Sequence, residues 1–145
     1  ARFGERGALA AHAMMFLLDG IPLIYNGQEA GDTMESGSPG LFERHPIFWP
    51  NEQRRPEFRG VYRRLIELRR AHSALQQGEV EWVDNSDQKR VVSFLRRGEG
   101  QEFLAVVNLS NRPFQGSVDG SPQPMSLNAW GARVVERRWG KVFDL

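Results

Sequence analysis

The chain contains no cysteine, which removes disulfides, thiolate metal ligands and a catalytic thiol together. It also lacks a long apolar run. Ala13–Leu18 and Ile21–Tyr25 are separated by Asp19 and Gly20, and each falls far short of the roughly 20 residues that span a bilayer, so no membrane segment is expected. An excess of one charge is absent too: 19 basic residues face 18 acidic ones, for a formal net charge of +1, too little to steer the chain towards nucleic acid or an anionic surface. The histidines His12, His45 and His72 form no H-x-x-x-H or H-x-H pair, and no transition-metal site is expected. The chain opens Ala1-Arg2-Phe3 without an initiating Met, and no basic stretch leads into an apolar one and a small-residue cleavage site. A fragment or a trimmed chain fits that start, and any targeting signal would then be lost.

What is present suits a packed protein. Hydrophobic residues make up 40% and charged residues 26% of 145 positions, close to the soluble globular average. Leu9, Ala13, Phe16 and Leu17 share one face of a helix predicted over about Gly4–Asp19, stopped by Gly20. Ile21–Tyr25 is an almost continuous apolar run, as expected for a strand covered on both faces in a parallel sheet. From Asn26 to Arg55 periodicity is lost in a loop of about thirty residues, a length that is usually functional or disordered. Pro56 suits the first position of a second helix, with Phe58, Val61, Tyr62, Leu65 and Leu68 at helical spacing, ending near His72–Leu75.

After Gly78 the period changes from 3.6 to 2. Strands are predicted at Val80–Val83, Val91–Arg97, Glu102–Leu109, Phe114–Val118, Met125–Ala129 and Arg133–Arg138, with turn residues between them. Short, closely spaced strands of this kind suggest a small β-sandwich. The chain thus divides near Gln76-Gln77-Gly78, giving residues 1–75 and 76–145. The first part cannot close a core alone, because a parallel-type strand needs neighbours and amphipathic helices need a sheet to cover.

The stretch Gly20-Ile21-Pro22-Leu23-Ile24-Tyr25-Asn26-Gly27-Gln28-Glu29-Ala30-Gly31 resembles the G-x-P-x-x-Y-x-G-x-E-x-G pattern around the eighth barrel strand of the alpha-amylase family of glycoside hydrolases. Arg44-His45-Pro46-Ile47-Phe48-Trp49, the run from Leu65 to Leu75, and Leu127-Asn128-Ala129-Trp130-Gly131-Ala132-Arg133-Val134 are similar to later features of the same family in the same order. The resemblance covers nearly the whole chain. It implies an α+β fragment: the last helix–strand–helix part of a TIM (β/α)₈ barrel, residues 1–75, followed by an antiparallel β-sandwich domain, residues 76–145. Chemistry in such barrels sits at the C-terminal ends of the strands, which would put Asn26–Asp32 at the active-site rim. Family members cleave or transfer α-glucosidic bonds with retention, using carboxylates on earlier strands. Those motifs do not occur here, so no catalytic residue is carried over and the fragment alone is expected to be inactive. The parent's implied partner is an α-glucan or maltooligosaccharide. A non-catalytic carbohydrate-binding or structural module is the alternative.

Asn26, Gln28, Glu29, Asp32 and Trp49 are the candidates for the substrate rim. Retaining hydrolysis needs two carboxyl groups about 5–5.5 Å apart with their pKa values pushed apart, so Glu29 alone is expected to be a hydrogen-bonded or ion-paired structural residue. Asn26, Gln28 and Asp32 could hydrogen-bond sugar hydroxyls in the intact enzyme, whereas Tyr25, within a strand, reads as core. Phe42, Phe48 and Trp49 compare with sugar-stacking platforms, anchoring of the loop being the simpler reading. No cofactor is expected of the chain itself. Asp32, Glu35 and Glu43 lack the spacing of a calcium loop, although isolated ligands to a shared calcium in the parent stay open. Gly37-Ser38-Pro39-Gly40 has neither the Lys of a phosphate loop nor the spacing of a nucleophile elbow and reads as a turn. Seventeen of the basic residues are Arg, and those at positions 54, 55, 59, 63, 64, 69 and 70 read as the solvated face of the second helix rather than a nucleic-acid surface. Unpaired edges and helix faces are expected to promote self-association through exposed barrel surfaces.

Overall fold

Two alternating segments meet across Glu99-Gly100 and set the register of the main sheet. The computed structural model describes residues 3–33 and 46–145, and in it the strands are β1 (Glu79–Trp82), β2 (Val91–Gly98), β3 (Gln101–Asn108), β4 (Phe114–Gly116), β5 (Met125–Leu127), β6 (Ala132–Glu136) and β7 (Lys141–Asp144). Glu99 and Gly100 both have positive φ, 49° and 75°, the two-residue hairpin geometry whose twist matches that of its strands. Pairing throughout is antiparallel, in the order β1-β2-β3-β6-β7, with β4 and β5 forming a separate ribbon.

Helices are α1 (Gly4–Leu17), α2 (Asn51–Arg54), α3 (Pro56–Ala71) and α4 (Ser73–Gln77). The chain divides into two compact units, Ala1–Pro22 with Arg64–Leu145, and Leu23–Arg63. This division differs from the change of composition near Gly78, because α1 and α4 belong to the same compact unit as the strands.

In the larger unit both faces of the sheet are covered. Leu95 lies opposite Leu104, which lies opposite Val135. On that face Val91, Leu95, Leu104 and Val106 bury themselves with Phe114, Val118, Met125 and Leu127 from the β4–β5 region. Side chains one residue out of phase point the other way, so Phe94, Phe103, Ala105, Val107 and Val134 form the opposite face, on which α1 packs against β3 and β6, and α4 against β2 and β3. The expected sandwich is thus a helix layer, a five-stranded sheet and a two-stranded ribbon. Asn108, fully buried, is satisfied on both sides of its amide: Nδ2 donates to the carbonyls of Arg112 and Asn128 at 2.7 and 2.9 Å, and Oδ1 accepts from the backbone N–H and hydroxyl of Ser110.

The end of α1 is held by two arginines. A helix leaves its last carbonyls without internal donors, and α1 has no basic residue in its last turn. Arg69 Nη1 donates to the carbonyls of Phe16 and Leu18 at 2.6 and 3.0 Å and its Nη2 to that of Gly20 at 2.5 Å. Arg96, fully buried, donates to Leu17 and Gly78 at 2.7 and 2.8 Å. Burial lowers the pKa of both, and Arg69 adds to the lowering at Arg96 while Asp19 opposes it. Arg69 therefore does not belong to a solvated face, as its sequence neighbourhood suggested.

Two further expectations differ. No strand forms over Ile21–Tyr25, where Ile21 and Leu23 are 97% and 75% exposed. A parallel-type strand needs an adjacent strand to pair with, and none among the described residues is offered to it. The last strand, β7, was not anticipated: Val142 and Phe143 are its only apolar residues, and it follows Trp139-Gly140 directly.

Candidate functional site

The segment following Tyr25 is a tight turn bracketed by two glycines. Gly27 and Gly31 adopt φ of 87° and 65°, a region that disfavours side chains, and between them Gln28–Ala30 makes a single 3₁₀ turn. The Gln28 and Asp32 backbone N–H groups donate to Tyr25 and Gly27 carbonyls at 3.0 Å each, and Gln28 Oε1 accepts from the Tyr25 N–H at 2.5 Å. A Cβ at Gly31 would stand 2.9 Å from Arg55 Cδ, and Arg55 Nη1 donates to the Gly31 carbonyl at 2.5 Å.

Asp32 ties this turn to the segment around α2. Its Oδ2 accepts from the Phe48 N–H at 3.3 Å and its Oδ1 from Asn51 Nδ2, itself buried, at 3.4 Å. Arg54 lies 5.5 Å from the centre of the Phe48 ring, and Arg59 pairs with Glu52 at 2.9 Å. Glu29 is half-buried and close enough to Tyr62 for its charge to matter: the buried Tyr62 hydroxyl has a raised pKa, from desolvation first and the Glu29 charge second.

The five candidates thus divide by what they touch. Gln28 and Asp32 brace the turn, Glu29 stands by Tyr62, and Asn26 and Trp49 are exposed, Trp49 by 53%. Exposed aromatic and amide groups can stack on and hydrogen-bond a sugar ring. Glu35, Phe42, Glu43, His45 and the Gly37–Gly40 turn lie outside the described residues. Among the described residues no three of His, Cys, Asp and Glu gather where they could hold a metal ion, and no helix is long and apolar enough to cross a membrane. Arg55, read from sequence as one of a charged run, is the residue missed here; its place one residue before the helix-opening Pro56 was the available signal.

No family model matches the chain. Alpha-amylase 2 of Dictyoglomus thermophilum is 30% identical over 109 residues, 70% of this chain and 18% of that protein. A cyclomaltodextrinase from a Bacillus species is 30% identical over 105 residues, 72% of this chain and 18% of its own. The chain spans less than a fifth of the length of these curated relatives. Among solved structures, the cyclic alpha-maltosyl-(1→6)-maltose hydrolase of Arthrobacter globiformis has the same fold, with a TM-score of 0.74 at 18% identity over 98% of this chain and 30% of that one. The sequence relatives place it: the chain belongs to the alpha-amylase family of glycoside hydrolases.

Proposed function

We propose that the intact protein is a retaining glycoside hydrolase acting on α-linked glucans or maltooligosaccharides, and that this chain supplies its C-terminal portion. In this reading residues 1–75 complete the (β/α)₈ barrel and residues 76–145 form the β-sandwich domain behind it. The names of the relatives, an amylase and a cyclomaltodextrinase, support the substrate class. One observation carries the reading: the apolar run Ile21–Tyr25 stands exposed immediately before a turn braced from both sides by Gln28, Asp32 and Arg55. A barrel strand is apolar because neighbours pair with both edges, and the turn at its C-terminal end faces the substrate. Asn26 and Trp49 then meet sugar, while Gln28, Glu29 and Asp32 hold the rim in shape. The catalytic carboxylate pair comes from other strands, and the chain by itself is inactive.

The coding frame upstream of the Ala1 codon tests this. It is expected to continue for roughly 250 residues and to carry carboxylates after predicted strands, and the longer product to cleave maltooligosaccharide with retention while the 145-residue chain does not. A start codon just before Ala1, or hydrolysis by the 145-residue chain alone, would overturn it.

A further inference from the structure

The turn between β6 and β7 carries Trp139, the most exposed tryptophan of the described residues at 76%. Single exposed apolar side chains are common, but the backbone that carries this one is held in place. Glu136, itself buried, turns both carboxylate oxygens to the turn backbone, Oε1 accepting from the Arg138 N–H at 3.2 Å and Oε2 from the Trp139 N–H at 2.8 Å. The Arg138 guanidinium lies over the indole, 5.0 Å from its centre. A fixed aromatic surface loses little freedom on binding, and that is the property a stacking platform needs.

Trp139 also borders a cleft of about 500 Å³, within the range of small-ligand sites. Its other walls include His72, Glu99, Gln101, Glu136 and Lys141. Gln101 Oε1 already accepts from the Ser73 hydroxyl and the Ala74 N–H, at 3.3 and 3.2 Å, which orients its amide NH₂ as the remaining donor. Glu99 supplies an acceptor from the β2–β3 turn, and Lys141 Nζ, 4.9 Å from the centre of the Phe143 ring, supplies a donor. His72 rests on Phe103, ring centres 4.7 Å apart, and on Phe143 at 6.0 Å; burial lowers its pKa, so the imidazole is neutral near pH 7. Acidic and basic groups are balanced around the cleft, which gives no preference to a phosphate or to a cation. An aromatic face beside mixed donors and acceptors suits a neutral ring with apolar C–H faces and a rim of hydroxyls.

We infer that this cleft, built by the β2–β3 and β6–β7 turns, binds a saccharide with one ring stacked on Trp139. The site rests on the glucan reading only in the choice of saccharide. Calorimetric titration of the 145-residue chain with maltoheptaose should show saturable binding that weakens about tenfold or more in Trp139→Ala and is largely kept in Trp139→Tyr, with the circular dichroism of every variant matching the parent chain. Absence of binding by the folded chain, or binding untouched by Trp139→Ala, would overturn it, as would saturable binding of inorganic phosphate at Trp139 in place of maltoheptaose. Binding that depends on Trp139 in a protein whose upstream frame lacks the carboxylate pair would sink the hydrolase reading and leave this site standing.

Discussion

Arg96 is a charge in the interior whose hydrogen-bond partners are carbonyls, with the Asp19 carboxylate near enough to favour its charged form. Its cost of desolvation is offset by donation to Leu17 at the C-terminal end of α1, where the helix dipole favours a cation, and to Gly78 before β1. Replacing it by Met keeps the bulk and removes the donors, leaving two acceptors unpaired, so Arg96→Met is expected to lower stability by about 2–4 kcal/mol, read from urea melts. His72 makes a different prediction. Its folded pKa lies below the unfolded value of 6.5 through burial first, then Lys141, with Glu136 opposing. Between those two values the unfolded chain binds more protons, so stability rises with pH across that window and falls as pH drops through it. His12, lowered by burial, acts in the same direction. Thermal melts between about pH 7.5 and 5 should show this loss, and His72→Gln should reduce the slope; an identical slope in the variant would rule His72 out as a source.

Among the elements, the Gly27–Asp32 turn depends most on backbone shape. Gly31→Ala places a methyl group against Arg55 Cδ at a φ of 65° and should destabilise the smaller unit by about 1–2 kcal/mol, with faster amide exchange at Ala30–Asp32 as the local readout. How much of this was legible in the sequence follows from which signals are local. The hairpin β2–β3 could be read because each strand alternates and the two are joined by Glu99-Gly100. The short β7 could not, since two apolar residues set no period. Ile21–Tyr25 read as a strand because composition reports what a segment would bury, while strand formation depends on a neighbour. Within the candidate site, the sequence pattern located the turn, but not that Gln28 and Asp32 would spend their oxygens on backbone N–H groups and on Asn51. Charged residues misled most: Arg69 read as surface, since nothing near it in sequence reveals which helix end it reaches.

For the whole molecule, the exposure of Ile21, Leu23 and Tyr25 bears on its behaviour in solution. We propose that the 145-residue chain self-associates through this segment. Light scattering should give a mass above that of the monomer at high concentration, and Ile21→Asp together with Leu23→Asp should shift it down; a monodisperse monomer of unaltered sequence would sink the idea.

The clamp on α1 also sets an order of events during synthesis. Helix α1 precedes both of its arginines, and Arg96 follows Leu17 by 79 residues. At about 5–20 residues per second, several seconds separate the synthesis of the helix from that of its second arginine. A 14-residue helix is marginal by itself in water, and the set of donors at the C-terminal end of α1 is complete only once residue 96 has been made and the β2–β3 hairpin has formed.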